Sequence, residues 1–464
     1  MKLRQRPLFI ASSLAFALIL FSGTNGFAED ASVGTELPQA TSDFSTEAMM
    51  TGDWGGARTN LHDLGIDLGA TEVAELFSNT SGGIQRQALY EGRLEMNAVL
   101  DFEKIFGWKG VTAFANAYQT HGRGLSGDDL NGNIMTISNI EAIRTTRLFD
   151  LWVQKAADDN SYSIRAGQIA ADDEFTISQY GGTLINSVFG WPSSLAANMP
   201  SGGPAYPLAT PGIRLHLGAD DQPWALQTAL FDGDPAGHND NSGTAFNMDR
   251  GALMMSELAY IRNGGKDATG LPATYKLGAW YHTENAADLH DDNTGLSLAA
   301  PTSSGVARVH HGNYGLYGIV DQSLWANTTN PDQSVAAFAR LFWNPSDRNL
   351  AAYQIDSGLN VKGLFECRKE DILGLGISYI AISDSASAFD RDTNANSGTP
   401  APVRDYESVV ELTYQAPLTP WLSAQPDFQY VMHPGGNIAN PNLTSGTTPI
   451  KDAAIIGLRM VVKF

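Results

Sequence analysis

The stretch "KDAAIIGLRMVVKF", residues 451–464, alternates so regularly that its fold can be read directly. Phe464, Val462, Met460, Leu458, Ile456 and Ala454 share one face, while Lys463, Arg459, Gly457 and Ala453 fall between them. A period of two marks a β-strand, because successive side chains point to opposite sides of the sheet. One such strand does not say whether a protein core or lipid lies under its apolar face. The other end of the chain bears on that.

The opening "MKLRQRPLFIASSLAFALILFSGTNGFAED" places Lys2, Arg4 and Arg6 ahead of an apolar run from Leu8 to Phe21, then small and polar residues up to Ala28. The run is shorter than the roughly 20 residues a membrane span needs, and the pattern is that of a signal peptide, residues 1–28, cleaved after Ala28. The protein is therefore expected to be exported. That leader holds three basic and no acidic residues, so its removal takes the formal charge from −21 to −24. Such acidity excludes nucleic acid as a natural partner. The one cysteine, Cys367, sits in "FECRKED" and cannot form an intramolecular disulfide. Residues 29–50 are polar and aperiodic and are expected to form a flexible periplasmic segment. No stretch beyond the leader approaches a transmembrane helix.

The remainder is Gly-rich with scattered Trp and Tyr, which suits many short strands. Sixteen runs of alternation or β-rich composition fall near 66–77, 89–103, 110–120, 146–156, 161–169, 211–218, 223–231, 253–262, 273–284, 313–325, 334–343, 351–363, 372–382, 405–416, 421–432 and 452–464. An even count brings both ends of a bacterial barrel to one side. The even-numbered runs are followed by brief connections such as "KIFGWKG", "AADDN" and "QAPLTP". The odd-numbered runs are mostly followed by long ones, at 121–145, 170–210, 232–252, 285–312, 383–404 and 433–451, with "NPSDRN" at 344–349 as the exception. Short turns on one rim and long loops on the other distinguish outer-membrane barrels, whereas a soluble sandwich has no reason to sort its loops.

The faces agree. In "YEGRLEMNAVLDF", Tyr90, Leu94, Met96, Ala98 and Leu100 share one side and Glu91, Arg93, Glu95 and Asn97 the other. In "ATYKLGAWYHTE", Tyr275, Leu277, Ala279 and Tyr281 lie opposite Lys276, Trp280, His282 and Glu284. Apolar faces bracketed by aromatics suit the two lipid headgroup levels. The fold class is all-β, a transmembrane antiparallel β-barrel of about 16 strands, with residues 51–464 forming an N-terminal motif and a single barrel. Closure at that size leaves a lumen that water can enter, and disposes of strand edges that hydrocarbon could not satisfy. The last strand is expected to seal against the first with its even-numbered residues on lipid.

Several stretches resemble the carbohydrate-selective porin (OprB) family: "TGDWGGARTNLHDLGIDLG" at 51–69, "LFDLWVQKAADDNSYSIRAGQIAADDEF" at 148–175, "YPLATPGIRL" at 206–215, "LTPWLSAQPDFQYVMHPGGN" at 418–437 and the terminal "GLRMVVKF". The resemblance implies a sixteen-stranded barrel in the outer membrane of a Gram-negative bacterium, in contact with outer-membrane lipid, through which glucose and related monosaccharides diffuse into the periplasm. It also implies that Phe464 belongs to the signal read by the outer-membrane barrel assembly machinery. Porins of this size are often homotrimers, which makes that state an expectation too. The family pattern more usually has Lys where this chain has Gln168, a departure that bears on the charge of the pore wall.

Sugar selection by a pore needs apolar or aromatic faces for C–H surface and polar groups for hydroxyls, with binding weak enough for release. In "RLFDLWVQK", Phe149, Leu151 and Val153 are read as facing lipid and Asp150, Trp152 and Gln154 the lumen, which makes Trp152 either a sugar platform or a wall tryptophan beneath an infolded loop. Glu91, Arg93 and Glu95, and the inward Arg165 and Arg214, are further candidates. The 170–210 loop is rich in Gly, Pro and Ser, and either folds inward, bringing Asp172, Asp173 and Glu174 to face Arg93 and Arg165, or stays an ordinary external loop. "DWGGARTNLHDLG" reads as a helical turn leading into the first strand; it resembles a phosphate loop only superficially, lacking the Gly-Lys-Ser/Thr ending.

No catalytic residue, metal or cofactor is expected. His310-His311 and the acidic "HDDN" at 290–293 lack further ligands at the right spacing and read as part of an external loop. The inward His216, His282 and His433 lie on different strands with no nucleophile beside them, which disfavours a hydrolase. The competing readings are a plugged structural or adhesive barrel and a general, non-selective porin.

Overall fold

The computed structural model describes residues 45–464 apart from 131, 220–221, 237–241, 245, 265–269 and 331–332. The expected leader and most of the segment 29–50 lie outside the described residues. Eighteen strands follow in chain order: β1 (Ile66–Gly83), β2 (Ala88–Asp101), β3 (Val111–Gly122), β4 (Thr145–Ala156), β5 (Tyr162–Ile169), β6 (Thr210–Leu217), β7 (Trp224–Asp232), β8 (Ala252–Arg262), β9 (Ala273–His282), β10 (Ala286–Asp292), β11 (Ala307–His310), β12 (Asn313–Ala326), β13 (Ser334–Trp343), β14 (Ala351–Lys362), β15 (Ile372–Ile382), β16 (Tyr406–Thr419), β17 (Leu422–Met432) and β18 (Lys451–Lys463). All but β10 and β11 form one closed antiparallel barrel in which β18 returns to pair with β1. These sixteen strands are the sixteen expected from the alternation. The β10–β11 hairpin, inside the 285–312 loop, was not expected.

Closure pairs every strand on both sides, so the bilayer meets no open edge. Outward positions expose Leu76, Met96, Leu277, Leu316, Leu341, Ile377, Ile456 and Leu458, while Glu91, Arg93, Glu95, Lys276 and His282 are buried on the inner face. Exposed aromatics collect toward the two rims. Tyr281, Tyr314, Trp343 and Tyr353 lie by the long-loop rim, and Tyr162, Trp224 and Trp325 toward the short-turn rim. The even-numbered residues of β18 take the outward side as expected, and Arg459 and Ile455 the inner one.

Three inward glycines each lie directly opposite an aromatic on the next strand: Gly457 opposite Phe77, Gly278 opposite Tyr317, and Gly358 opposite Phe338. A Cβ at Gly457 would lie 2.1 Å from the Phe77 ring, and one at Gly278 2.0 Å from that of Tyr317. The ring covers the backbone that the missing side chain leaves bare, which pins the register at three places around the wall.

The motif at 51–65 is a clasp. Trp54–Gly56 and Ala57–Asp63 are short helical turns, as expected, with Gly55 and Gly56 at φ +69° and +96°, values that suit glycine. Asp53 Oδ1 accepts from the Thr59 amide and hydroxyl at 2.9 and 2.8 Å. The Arg58 guanidinium lies 4.1 Å from the Trp54 ring and donates to Gly52 O at 3.0 Å and Phe464 O at 3.1 Å. The Met50 amide donates to Lys463 O at 2.8 Å. The start of the described chain is thereby tied to its end across the β1–β18 seam.

Two inferences from the alternation and one from the resemblance are corrected. Pairing of β3 with β4 shifts between Ala115↔Leu151 and Ala117↔Leu148, so Phe149 and Asp150 both stand opposite Asn116. This β-bulge turns Phe149 inward, where it is buried against Tyr118 with ring centroids 4.8 Å apart, rather than onto lipid. Gln168 takes the outward register of its partners Leu151 and Pro211, so the departure from Lys does not alter the pore wall. Its amide donates to Phe149 O, a carbonyl beside the bulge. His433 lies past the end of β17 in a left-handed conformation (φ +51°) and stacks on Tyr406 at 4.2 Å, at the rim rather than in the lumen.

Candidate functional site

The loop that connects β5 to β6 folds into the barrel, one of the two placements left open by the sequence. It carries Phe175, Tyr180, Leu184, Ile185, Val188, Phe189, Trp191 and Leu195, all buried. Part of this set packs on inward apolar residues of the wall, among them Phe338, Ile380, Val409, Val431 and Ile455. These positions break the polar-inside pattern because the loop, not water, covers them.

A loop inside a barrel must find partners for its backbone. The wall supplies them from nearly every side. Glu257 accepts from the Thr176 amide at 3.1 Å, Asp321 from Gln179 at 3.1 Å, Glu411 from Asn186 at 2.8 Å and Gln354 from Ser194 at 2.7 Å. Lys276 donates to Ile177 O at 3.0 Å, Asn360 to Tyr180 O at 2.8 Å and Gln425 to Thr183 O at 2.8 Å. Arg340 donates to Thr176 O at 3.1 Å, Gly190 O at 2.8 Å and Val188 O, and is braced by Asp356 at 2.8 Å.

The loop between β3 and β4 also turns inward, which the sequence reading did not anticipate. Its Ile134 and Met135 amides donate to Glu407, and its Ile137 carbonyl accepts from Gln429 at 2.9 Å. The two loops meet through Ser187 N to Thr136 O and Asn139 N to Ile185 O, each 3.0 Å. The signal that could have found it is "NIMTISNI" at 133–140, an apolar cluster out of place in a solvated loop. Together the loops narrow the interior to a constriction.

Charged groups crowd that constriction in two knots. In the first, Glu174 receives Arg165 and, at 3.0 Å, Arg214, while Gln154 Oε1 accepts from Arg165 at 3.1 and 3.2 Å and from Arg214 at 2.9 Å. Trp152 belongs here. Its ring stacks on Phe114 at 5.2 Å, the Arg165 guanidinium covers it at 3.9 Å, and the residue is buried.

The second knot centres on Arg93, which is 1% exposed. Its guanidinium lies 4.5 Å from the Tyr118 ring and 5.2 Å from the Tyr206 ring. Glu95 is 3.8 Å away and accepts from Asn116 at 3.2 Å. Arg93 also meets Tyr206 side chain to side chain. Asp172 accepts the Tyr206 amide at 3.2 Å and so ties the loop's beginning to its end.

Asp150 accepts the Ala170 amide at 3.0 Å, and Asp173 meets it side chain to side chain, linking the two knots. Burial, with Asp173 next to it, pushes the Asp172 carboxyl well above its usual range. Glu91 lies apart from both knots, beside Glu75 and Glu141. Burial pushes Glu141 up to about 7 against hydrogen bonds from Ser126, and Glu75 is paired with Arg459.

The sequence candidates are thus divided. Trp152, Gln154, Arg165, Glu174 and Arg214 meet in one knot, Arg93, Glu95 and Asp172 in the other, with Asp150 and Asp173 between. The expected facing of the loop acids with arginine holds for Glu174 and Arg165, whereas Arg93 pairs with Glu95. Tyr118, Tyr206, Glu141 and Arg340 were not anticipated, because their roles depend on the infolded loops. Among the described residues no cluster of His, Cys, Asp and Glu could hold a metal ion.

Comparison with known proteins follows the same lines. The family model described as "Carbohydrate-selective porin, OprB family" matches residues 85–464. The chain is 27% identical to Porin B of Pseudomonas aeruginosa over 411 residues, covering 83% of this chain and 87% of that one. A solved high-pH structure of Pseudomonas putida OprB superposes with a TM-score of 0.80 at 24% identity, covering 91% of this chain and all of that one. A low-pH structure of the same protein gives 0.56 at 20% identity, with the same coverage.

Proposed function

The chain belongs to the OprB family of carbohydrate-selective porins of the Gram-negative outer membrane, and from that membership we propose a passive channel that favours glucose and related monosaccharides. The observation that carries the reading is the constriction made by the two infolded loops, crowded with arginine, carboxylate and aromatic side chains. Those are the kinds of group that sugar recognition in a pore requires, donors and acceptors for hydroxyls and ring surface for C–H faces.

In this reading Trp152 does not stack a sugar. It holds Arg165 in place through its ring face, and Gln154, Glu174 and Arg214 fix the loop's root. Asp150, Asp172 and Asp173 position the same loop, and Glu91 sets the charge beside it. Phe464 serves as the assembly signal, read by barrel yield in cells carrying Phe464→Ala. Native mass spectrometry of the detergent complex decides between one barrel and three.

Planar-bilayer recording tests the proposal. Stepwise conductance reduced by added glucose, and less by disaccharides, is expected. Arg93→Ala, which removes the cation that packs Tyr118 and Tyr206 at the constriction, is expected to weaken the glucose block. Absence of any conductance points to a plugged barrel. Conductance indifferent to every sugar points to a general porin.

A further inference from the structure

The β10–β11 hairpin and the helix Asp384–Ser397 stand on the long-loop rim but spring from different places. The hairpin rises between β9 and β12, and the helix between β15 and β16. The β13–β14 connection lies between them and is short, residues 344–350, so nothing keeps the two apart. They touch. His290 on the hairpin reaches Asp392 on the helix, Nε2 to Oδ2 at 3.0 Å, and Asn396 on the helix donates to Ala299 O at 3.0 Å.

His290 is held on its other side by Asp291, Nδ1 to Oδ1 at 2.7 Å. A neutral imidazole carries one N–H, whereas here both ring nitrogens face carboxylate oxygens. Only the imidazolium donates to both; in either neutral tautomer one contact becomes two acceptors facing each other. We propose that His290 is a proton-dependent latch that docks the hairpin onto the helix and releases it as the external medium turns alkaline.

The charged surroundings are consistent. On the hairpin, Arg308 pairs with Asp291 at 3.0 Å, and Asp288 takes the His290 amide at 2.9 Å and His310 at 2.9 Å. On the helix, Arg391 lies close enough to act on Asp392. From the 344–350 turn, Asp347 lies 3.7 Å from His310 and pairs with Arg348, while the Leu289 amide donates to Asp347 O at 2.8 Å. That backbone bond does not titrate and holds the hairpin's root, leaving the helix contact as the part that moves.

Burial works against the charge on His290, but the hydrogen bonds to Asp291 and Asp392 outweigh it and hold the ring above its usual pKa. A raised pKa means docking is fully supported below the free histidine value and lost as pH rises through the docked one. The groups are partly exposed, so the effect is modest, roughly two- to five-fold in the docking equilibrium.

Hydrogen exchange of the full chain in detergent, followed by mass spectrometry at pH 5.5 and pH 8.5 with correction for intrinsic rates, tests this. Protection of peptides spanning 286–310 and 384–397 is expected to fall two- to five-fold at the higher pH. In His290→Gln and Asp392→Asn, protection is expected to stay at the alkaline level at both pH values. Equal protection at the two pH values in the wild type, or a pH response persisting undiminished in both variants, overturns the latch.

Discussion

Replacing Arg340 with Met tests whether the infolded loop is held by the wall or merely rests in the barrel. The side chain is fully buried and makes three contacts at once to the loop, through the carbonyls of Thr176, Val188 and Gly190, while Asp356 neutralises it at 2.8 Å. Methionine keeps the length and the apolar stem but removes every donor. Asp356 then remains buried with Ser378 and Gln354 as its hydrogen-bond partners and no counter-charge. Removing one member of a buried ion pair costs about 3–5 kcal/mol. The part felt by the loop is its three carbonyls, each losing a charged donor whose bond is worth about 1.5–3 kcal/mol before water compensates. If about 3 kcal/mol falls on docking, the undocked fraction rises roughly 100-fold. Two assays read it. Hydrogen exchange across residues 176–190 speeds up by that factor while the strands stay protected. Single-channel traces gain brief excursions to a larger conductance. Unchanged exchange and unchanged current noise in a correctly folded R340M barrel refute the idea that the loop is pinned by this wall.

Other expectations concern separate parts of the molecule. Arg58→Ala removes two hydrogen bonds and a ring contact from the clasp, about 1–3 kcal/mol together; the heat needed to convert the folded band on gels should drop while conductance stays the same. Glu174→Gln leaves Arg165 and Arg214 side by side without their carboxylate, and the reversal potential in a salt gradient should move toward anions, a shift whose absence places Glu174 away from the ion path. Gly457→Val drives a side chain into Phe77 at the seam and should cost about 1–3 kcal/mol. Pairing it with Phe77→Ala should recover part of that loss in the same gel assay.

The strands were legible because lipid outside and polar groups inside impose a period of two along each of them. β18 and β9 follow it almost without exception. What blurred the reading was local. One extra residue in β4 turned Phe149 inward, and no alternation rule can place a bulge that shows only in the pairing with the partner strand, opposite Asn116. The constriction was half visible. "ADDEF" and Arg165 announced their pairing, since opposite charges on neighbouring elements have few other uses, whereas Arg214 was read only as facing inward. Arg340, Tyr206 and Glu141 stayed hidden, because their partners are backbone atoms or loop residues far away in sequence. The infolding at 133–140 left a trace in its isoleucines, which a solvated loop would not carry. The hairpin β10–β11 left less, as its strands pair only with each other and are short.

The inward loops also dictate a timetable. Both leave the wall early, before β6, yet the residues that secure them include Arg340, Glu407, Glu411, Gln425 and Gln429, most of them made last. Docking of the loops must therefore wait for the C-terminal wall, and because β18 also closes the cylinder against β1, sealing and narrowing draw on the same late strands.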